Sequence, residues 1–265
     1  MRRRSWRSNS KCLNGNKMQQ IKFSGDLKGL SPKRLVDDKN NDSVENFFLV
    51  LGLFYNDLKS LNFQLVQLGN TFEYIHGKEV KATNDFGEYA GLKSHLERMM
   101  IGTLSEFFRF INDNQEILKT ERFRGVYSTL NRDLKGRWDL IAEIAFTQET
   151  KEVNDFAKVL MRVRNNLSFH YYQSGKTLRK GFIEHFLKDG KSTANEKAYF
   201  SSGETMEETR FFFCDAASQR AAILEVVGEM SFDEYSKKMK SIIEDLNFVI
   251  MRLMKGYIDN LPHKS

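Results

Sequence analysis

Residues 43–76 read SVENFFLVLGLFYNDLKSLNFQLVQLGNTFEYIH, and their apolar positions decide the fold. Phe47, Leu51, Phe54, Leu58, Leu61, Leu65, Leu68, Phe72 and Ile75 follow one another in alternating steps of four and three. That spacing draws one apolar stripe down an α-helix. At a rise of ~1.5 Å per residue the stripe is about 44 Å long. Asp42 or Ser43 supplies the N-cap, with Glu45 in the first turn, and Gly77 is placed to end the helix.

Working outward, the same spacing recurs. Leu92, Leu96, Met99, Met100, Leu104, Phe107, Phe108 and Ile111 mark a second helix over about 85–111, broken by Asn112-Asp113-Asn114. A third helical stretch is expected over 116–146, kinked near Gly125 or Gly136. A fourth, from about Lys151, carries Val153, Phe156, Leu160, Val163 and Leu167. The last long helix runs over about 232–257 on Phe232, Tyr235, Met239, Ile242, Leu246, Val249 and Leu253. Residues 174–216 break the pattern, being rich in Gly, Ser and Thr. Short aromatic runs at 197–201 and 209–215 around Gly203-Glu204 predict a small β-hairpin there. A short helix over about 217–227 follows. The expected fold is therefore all-α: an antiparallel helical bundle with long helices and a small irregular or β-hairpin excursion before the last one.

Composition agrees. The 265 residues contain two prolines, Pro32 and Pro262, where an average chain carries roughly thirteen. Helix interiors exclude proline, whereas sandwiches and barrels need it at their turns. The 22 Phe residues supply ample core material. No run approaches the roughly 18 apolar residues of a membrane span, so no membrane partner is expected. The two cysteines, Cys12 and Cys214, lie far apart, which argues for a reducing, cytoplasmic setting.

Charge is uneven. Residues 1–40 hold eleven Lys/Arg against three Asp, while the remainder holds 30 basic against 32 acidic groups. Residues 1–41 thus read as a disordered basic arm and 42–265 as the folded domain. Within that nearly neutral body, 158–191 carries eight Lys/Arg against Glu184 and Asp189, the footprint of a phosphate-binding surface.

Several chemistries lack a foothold. Gly190-Lys191-Ser192-Thr193 ends like a phosphate-binding loop, but His185 stands where its first glycine belongs. Glu73-x-x-His76 is one Glu-x-x-His spacing where a two-iron bundle needs two. Neither a cofactor nor a metal is expected.

One stretch points to chemistry: Met161-Arg162-Val163-Arg164-Asn165-Asn166-Leu167-Ser168-Phe169-His170-Tyr171-Tyr172. His titrates near neutrality and can take a proton from a ribose 2′-hydroxyl or return one to a leaving 5′-oxygen. Arg stays charged and holds a phosphate through parallel donors, stabilising charge on its oxygens. Attack of the 2′-hydroxyl on the adjacent phosphate leaves a 2′,3′-cyclic end and requires no metal. Asn165 and Ser168 are candidates to orient the histidine or the phosphate, Tyr171 to stack on a base, and Arg162 to add charge.

Arg164, the polar Asn165 and His170 followed by aromatics resemble the HEPN superfamily, helical proteins marked by Arg, four to six residues, then His. The resemblance implies a bundle of four or more helices that forms a homodimer, Arg164 and His170 of both protomers meeting in a shared cleft. It implies an endoribonuclease acting on RNA, of the toxin or abortive-infection (phage-defence) type, with an antitoxin or regulatory protein as a further partner. Other members are non-catalytic and bind RNA, nucleotides or proteins. A second pair at the same spacing, Arg179 and His185, falls in a segment that reads as a loop.

Overall fold

The periodic stripe forms the helix it predicts. A computed structural model describes residues 28–35, 42–76, 83–147, 155–168, 174–187, 198–206 and 208–261. Following a helical turn, α1 (Pro32–Leu35), helix α2 runs over Ser43–His76. Asp42 caps it: its Oδ1 accepts from the backbone N–H of Val44 at 2.8 Å. Arg122 ties that end further through ion pairs to Asp42 and Glu45. Gly77 lies outside the described residues.

Helix α3 (Asn84–Asp113) lies antiparallel on α2. Its N-cap is Thr83, whose side chain accepts from the Phe86 N–H. The seam between the two is aromatic: Phe47 stacks on Phe110 at 4.9 Å, Phe54 on Phe107 at 4.2 Å and Phe72 on Tyr89 at 3.9 Å. As numbers rise along α2 they fall along α3, which fixes the direction. Phe47, Phe48, Leu51, Phe54 and Leu58 are buried, whereas Leu61 and Leu65 are only partly covered. The core therefore sits against the first half of α2.

The stretch expected as one kinked helix is three: α4 (Gln115–Leu118), α5 (Glu121–Ser128) and α6 (Arg132–Phe146). The breaks do not fall at Gly125 or Gly136. They fall where Thr120 and Asn131 take N-cap geometry and accept from the Phe123 and Leu134 N–H groups at 3.2 and 2.9 Å. A capping side chain offers the backbone an alternative partner, so caps rather than glycines divide this segment.

Helix α7 (Asp155–Val163) buries Phe156, Val159, Leu160 and Val163 and packs on α3, then widens into a π-helical turn, Arg164–Ser168. Of the stretch expected to be irregular, 174–187 is helical instead. Ser174–Phe182 forms α8, continued by a second π-helical turn at Ile183–Leu187. Leu178, Phe182 and Phe186 are four apart, a helical signal masked by Gly175, Gly181 and the intervening lysines. The expected hairpin reduces to one antiparallel bridge, Ser201–Arg210, and no longer strand forms among the described residues. Phe212 already begins α9 (Phe212–Val227), which takes over half of the second aromatic run.

Helix α10 (Phe232–Asp259), capped by Ser231, closes the bundle against α2 and α6. Phe48 stacks on Tyr257 at 4.1 Å and Tyr55 donates to Asn247 at 3.1 Å, so α10 too runs antiparallel to α2. Leu35 of the expected arm belongs with this body, since it packs on the core and its carbonyl accepts from the Tyr257 hydroxyl. Residues 1–27 and 36–41 lie outside the described residues.

α8 and α9 approach so closely that a Cβ on Gly181 would stand 2.1 Å from the Ala217 carbonyl oxygen and 2.9 Å from the Ala221 backbone nitrogen. Backbone cannot swing aside as a side chain can. Gly181→Ala gains helix propensity of about 1 kcal/mol but forces the two helices apart, at a cost of about 1–3 kcal/mol. Urea denaturation is expected to show lower stability for the variant.

Candidate functional site

Arg164 stands at the first residue of the π-helical turn, its side chain 22% exposed. Its Nε donates to Glu106 Oε1 at 2.7 Å and its Nη2 reaches the same oxygen at 2.5 Å. Nη1 donates to Asn165 Oδ1 at 2.8 Å. A guanidinium carries five N–H donors. Three are therefore engaged, and one on each terminal nitrogen has no partner among the described residues. Glu106 comes from α3, on the turn beside buried Phe107 and Phe108, so the bundle core fixes where the guanidinium sits.

The other predicted site residues part ways. Asn165 is half-buried and serves Arg164 directly. Ser168 is buried, and its hydroxyl donates to the Arg98 carbonyl at 2.9 Å and to the Val163 carbonyl at 3.4 Å. Its hydroxyl is committed to the fold: it anchors the turn against α3, two residues before His170. Arg162 is ion-paired with Glu229. His170 and Tyr171 lie outside the described residues.

The charge of this face is also answered from elsewhere in the chain. Lys158 pairs with Asp155 at 3.1 Å and reaches Glu229 at 3.9 Å, Arg162 pairs with Glu229 and Arg164 with Glu106. The cations at 158, 162 and 164 are thus matched by Asp155, three residues before Lys158, and by Glu229 and Glu106, which only the fold brings near. The segment after these cations differs. Lys176, Arg179 and Lys180 on α8 are exposed, and Ser174–Phe182 contains no acidic residue. The second Arg–His pair is accordingly helical, with Arg179 exposed and His185 half-buried, its ring edge against Phe186 at 4.5 Å.

Sequence reasoning missed the residues of α3 that face Arg210 and α9. Arg98 donates to Ser94 at 3.0 Å and to Ser218 at 2.7 Å, bridging α3 to α9. Glu88, Gly91, His95 and Arg98 form a stripe that receives Arg210, which pairs with Glu88 at 2.8 Å and Asp215 at 2.9 Å. Gly91 makes this possible, because a Cβ there would lie 2.2 Å from the Arg210 guanidinium. The three-four spacing of these polar residues was the available signal; without their partners it looked like a solvated face. Burial, then Arg98 and Arg210, hold the His95 imidazole below its usual 6.5. Burial and the nearby Arg220 lower His185 likewise.

A cavity of about 340 Å³ opens beside this stripe, bounded among others by Glu97, Arg98, Val163, Ile223 and Tyr235. Burial raises the Glu97 carboxyl, with Lys93 opposing, and raises the Tyr235 phenol, with the Glu97 charge adding to it. The Tyr235 hydroxyl is buried without a hydrogen-bond partner among the described residues. Among the described residues no group of three or more His, Cys, Asp or Glu side chains is placed to hold a cation. No described helix is long and apolar enough to cross a membrane.

Two outcomes follow from this geometry. Tyr235→Phe removes an unsatisfied buried group, so its unfolding free energy is expected to equal or exceed that of the parent, by up to about 1 kcal/mol. His95 and His185, lowered in the fold, leave the unfolded chain binding protons first as pH falls through 6.5. Their stabilising contribution is complete above that value and is lost below it. The double variant His95→Gln/His185→Gln is expected to flatten the fall in urea midpoint between about pH 7 and 5. Comparison of the chain with protein-family models, with curated proteins and with solved structures finds no match.

Proposed function

We propose that the chain is a HEPN-like endoribonuclease that cleaves RNA without a metal, leaving a 2′,3′-cyclic phosphate. Arg164 is the phosphate clamp and His170 the acid/base. One observation carries the reading: the Arg164 guanidinium is held by Glu106 and Asn165 yet keeps one N–H on each terminal nitrogen without a partner among the described residues. A side chain anchored in this way binds a phosphate without first losing its rotamer freedom, and its two donors meet charge as it develops on the phosphoryl oxygens.

In this reading two copies of the chain form a homodimer and both contribute Arg164 and His170 to one cleft. An antitoxin or regulatory protein restrains the nuclease in a cytoplasmic setting. A second reading, a non-catalytic HEPN-like bundle that binds RNA, nucleotide or a partner protein, is favoured by one observation. Lys158, Arg162 and Arg164 are each matched by a carboxylate, which weakens the pull of this face on a polyanion.

Incubation of the purified protein with total RNA separates the two. Cleavage that resists EDTA and yields cyclic-phosphate ends is expected, with Arg164→Ala and His170→Ala each slowing it by at least about 100-fold while circular dichroism stays unchanged. Full activity in either variant overturns the assignment, and no cleavage by the parent leaves the binding module. Glu106→Gln weakens the hold on Arg164 but removes an opposing charge. RNA is expected to bind it more tightly and be cut more slowly, a split read from KM against kcat.

A further inference from the structure

Most described cations outside α8 have a partner, but Lys176, Arg179 and Lys180 stand exposed without one among the described residues. They occupy positions i, i+3 and i+4 of α8, neighbours on one helical face. Three like charges on adjacent turns repel one another, a cost recovered when a polyanion lies across them.

The stripe leads into rings. Phe182 is three residues beyond Arg179, one turn further along. Its ring meets Phe213 edge-on at 6.4 Å, and Phe213 meets Phe211 edge-on at 6.0 Å. Phe211 is 53% exposed, and so in large part are Tyr199 and Phe200 on the opposite limb of the bridge, 49% and 62%. The Phe213 N–H donates to the Tyr199 carbonyl at 3.2 Å, and the Ser201–Arg210 bridge holds the two limbs together. Arg210 anchors this small platform to α3. Tyr199, Phe200 and Phe211 are thus large aromatic side chains left in water, joined to α8 through the Phe211–Phe213–Phe182 ring contacts.

We infer that α8 and the 199–211 bridge form a binding surface for single-stranded RNA, the lysines and arginine following its phosphates and the exposed rings stacking its bases. A strand offers both groups at once; a duplex hides its base faces and an acidic peptide has none. The inference rests on the proposed action on RNA and adds to it the form of the substrate and the path it takes towards the π-helical turn that follows α7, against which α8 packs.

The test is fluorescence anisotropy with a labelled 2′-O-methyl oligouridine of twelve nucleotides, which has no 2′-hydroxyl to attack. The parent is expected to bind it at least tenfold more tightly than a duplex of equal length or a polyglutamate peptide. Lys176→Ala/Arg179→Ala/Lys180→Ala is expected to weaken binding at least tenfold and to lower the slope of log K against log salt by about 2, from roughly 0.7 per phosphate contact. Phe200→Ala/Phe211→Ala is expected to weaken binding tenfold or more with the slope unchanged. Equal affinity and slope in the triple variant, unchanged affinity in the aromatic variant, or equal binding of duplex or peptide overturns the inference. Cleavage of unmodified RNA is scored separately. Binding without cleavage overturns the nuclease reading and leaves the surface; cleavage that the variants do not alter does the reverse.

Discussion

Burial of α3 is the constraint on which the rest depends. One face of this helix meets α2 through Phe107 and Phe110, while other faces receive α6, α7 and α9. Each fully buried side chain of this size contributes about 1.5–3 kcal/mol. The large rings at the α2–α3 seam therefore hold the bundle firmly enough for the remaining faces of α3 to carry polar work. Glu106 follows directly from this arrangement. It is adjacent to Phe107 and so placed by the core, but it points to the side where α7 ends. The position of Arg164 is inherited from apolar packing through one carboxylate.

Electrostatics divide the second half of the chain into two regimes. Along α7 every cation with a strong position is countered, at Asp155, Glu229 or Glu106. Along α8 none of the three is, among the described residues. A matched pair fixes geometry and contributes little attraction at a distance; unmatched charge attracts and orients nothing by itself. Under the proposed action on RNA the two are complementary, one surface collecting the polyanion and the other placing a single phosphate.

The fold was legible because its signal is redundant. Nine apolar residues in three-four register define α2, and any eight would have done so. The boundaries within 115–146 were harder, since Thr120 and Asn131 act through single hydrogen bonds that compete with helix propagation only once neighbours hold the chain. α8 was missed because its apolar face is narrow, three residues among glycines and lysines, and gains its stability from α9 rather than from its own sequence. The candidate site was legible in one half. Arg164 was marked by its motif, but Glu106 lies 58 residues away and nothing local announces it. Ser168 was read from its chemistry alone as a group to orient the histidine or the phosphate; the bond of its hydroxyl to the Arg98 carbonyl joins residues 70 apart and leaves no local trace.

The division of 115–146 by caps leaves Gly125 and Gly136 inside intact helices, each with open space where a Cβ would stand. Neither turns the chain, admits a neighbour or carries a left-handed backbone. Each nevertheless broadens the unfolded ensemble that folding must narrow, by about 0.5–1 kcal/mol relative to alanine. The bundle thus holds a reserve of thermal tolerance that it leaves unclaimed, at two positions remote from α8 and from Arg164, where drawing on it would touch neither surface.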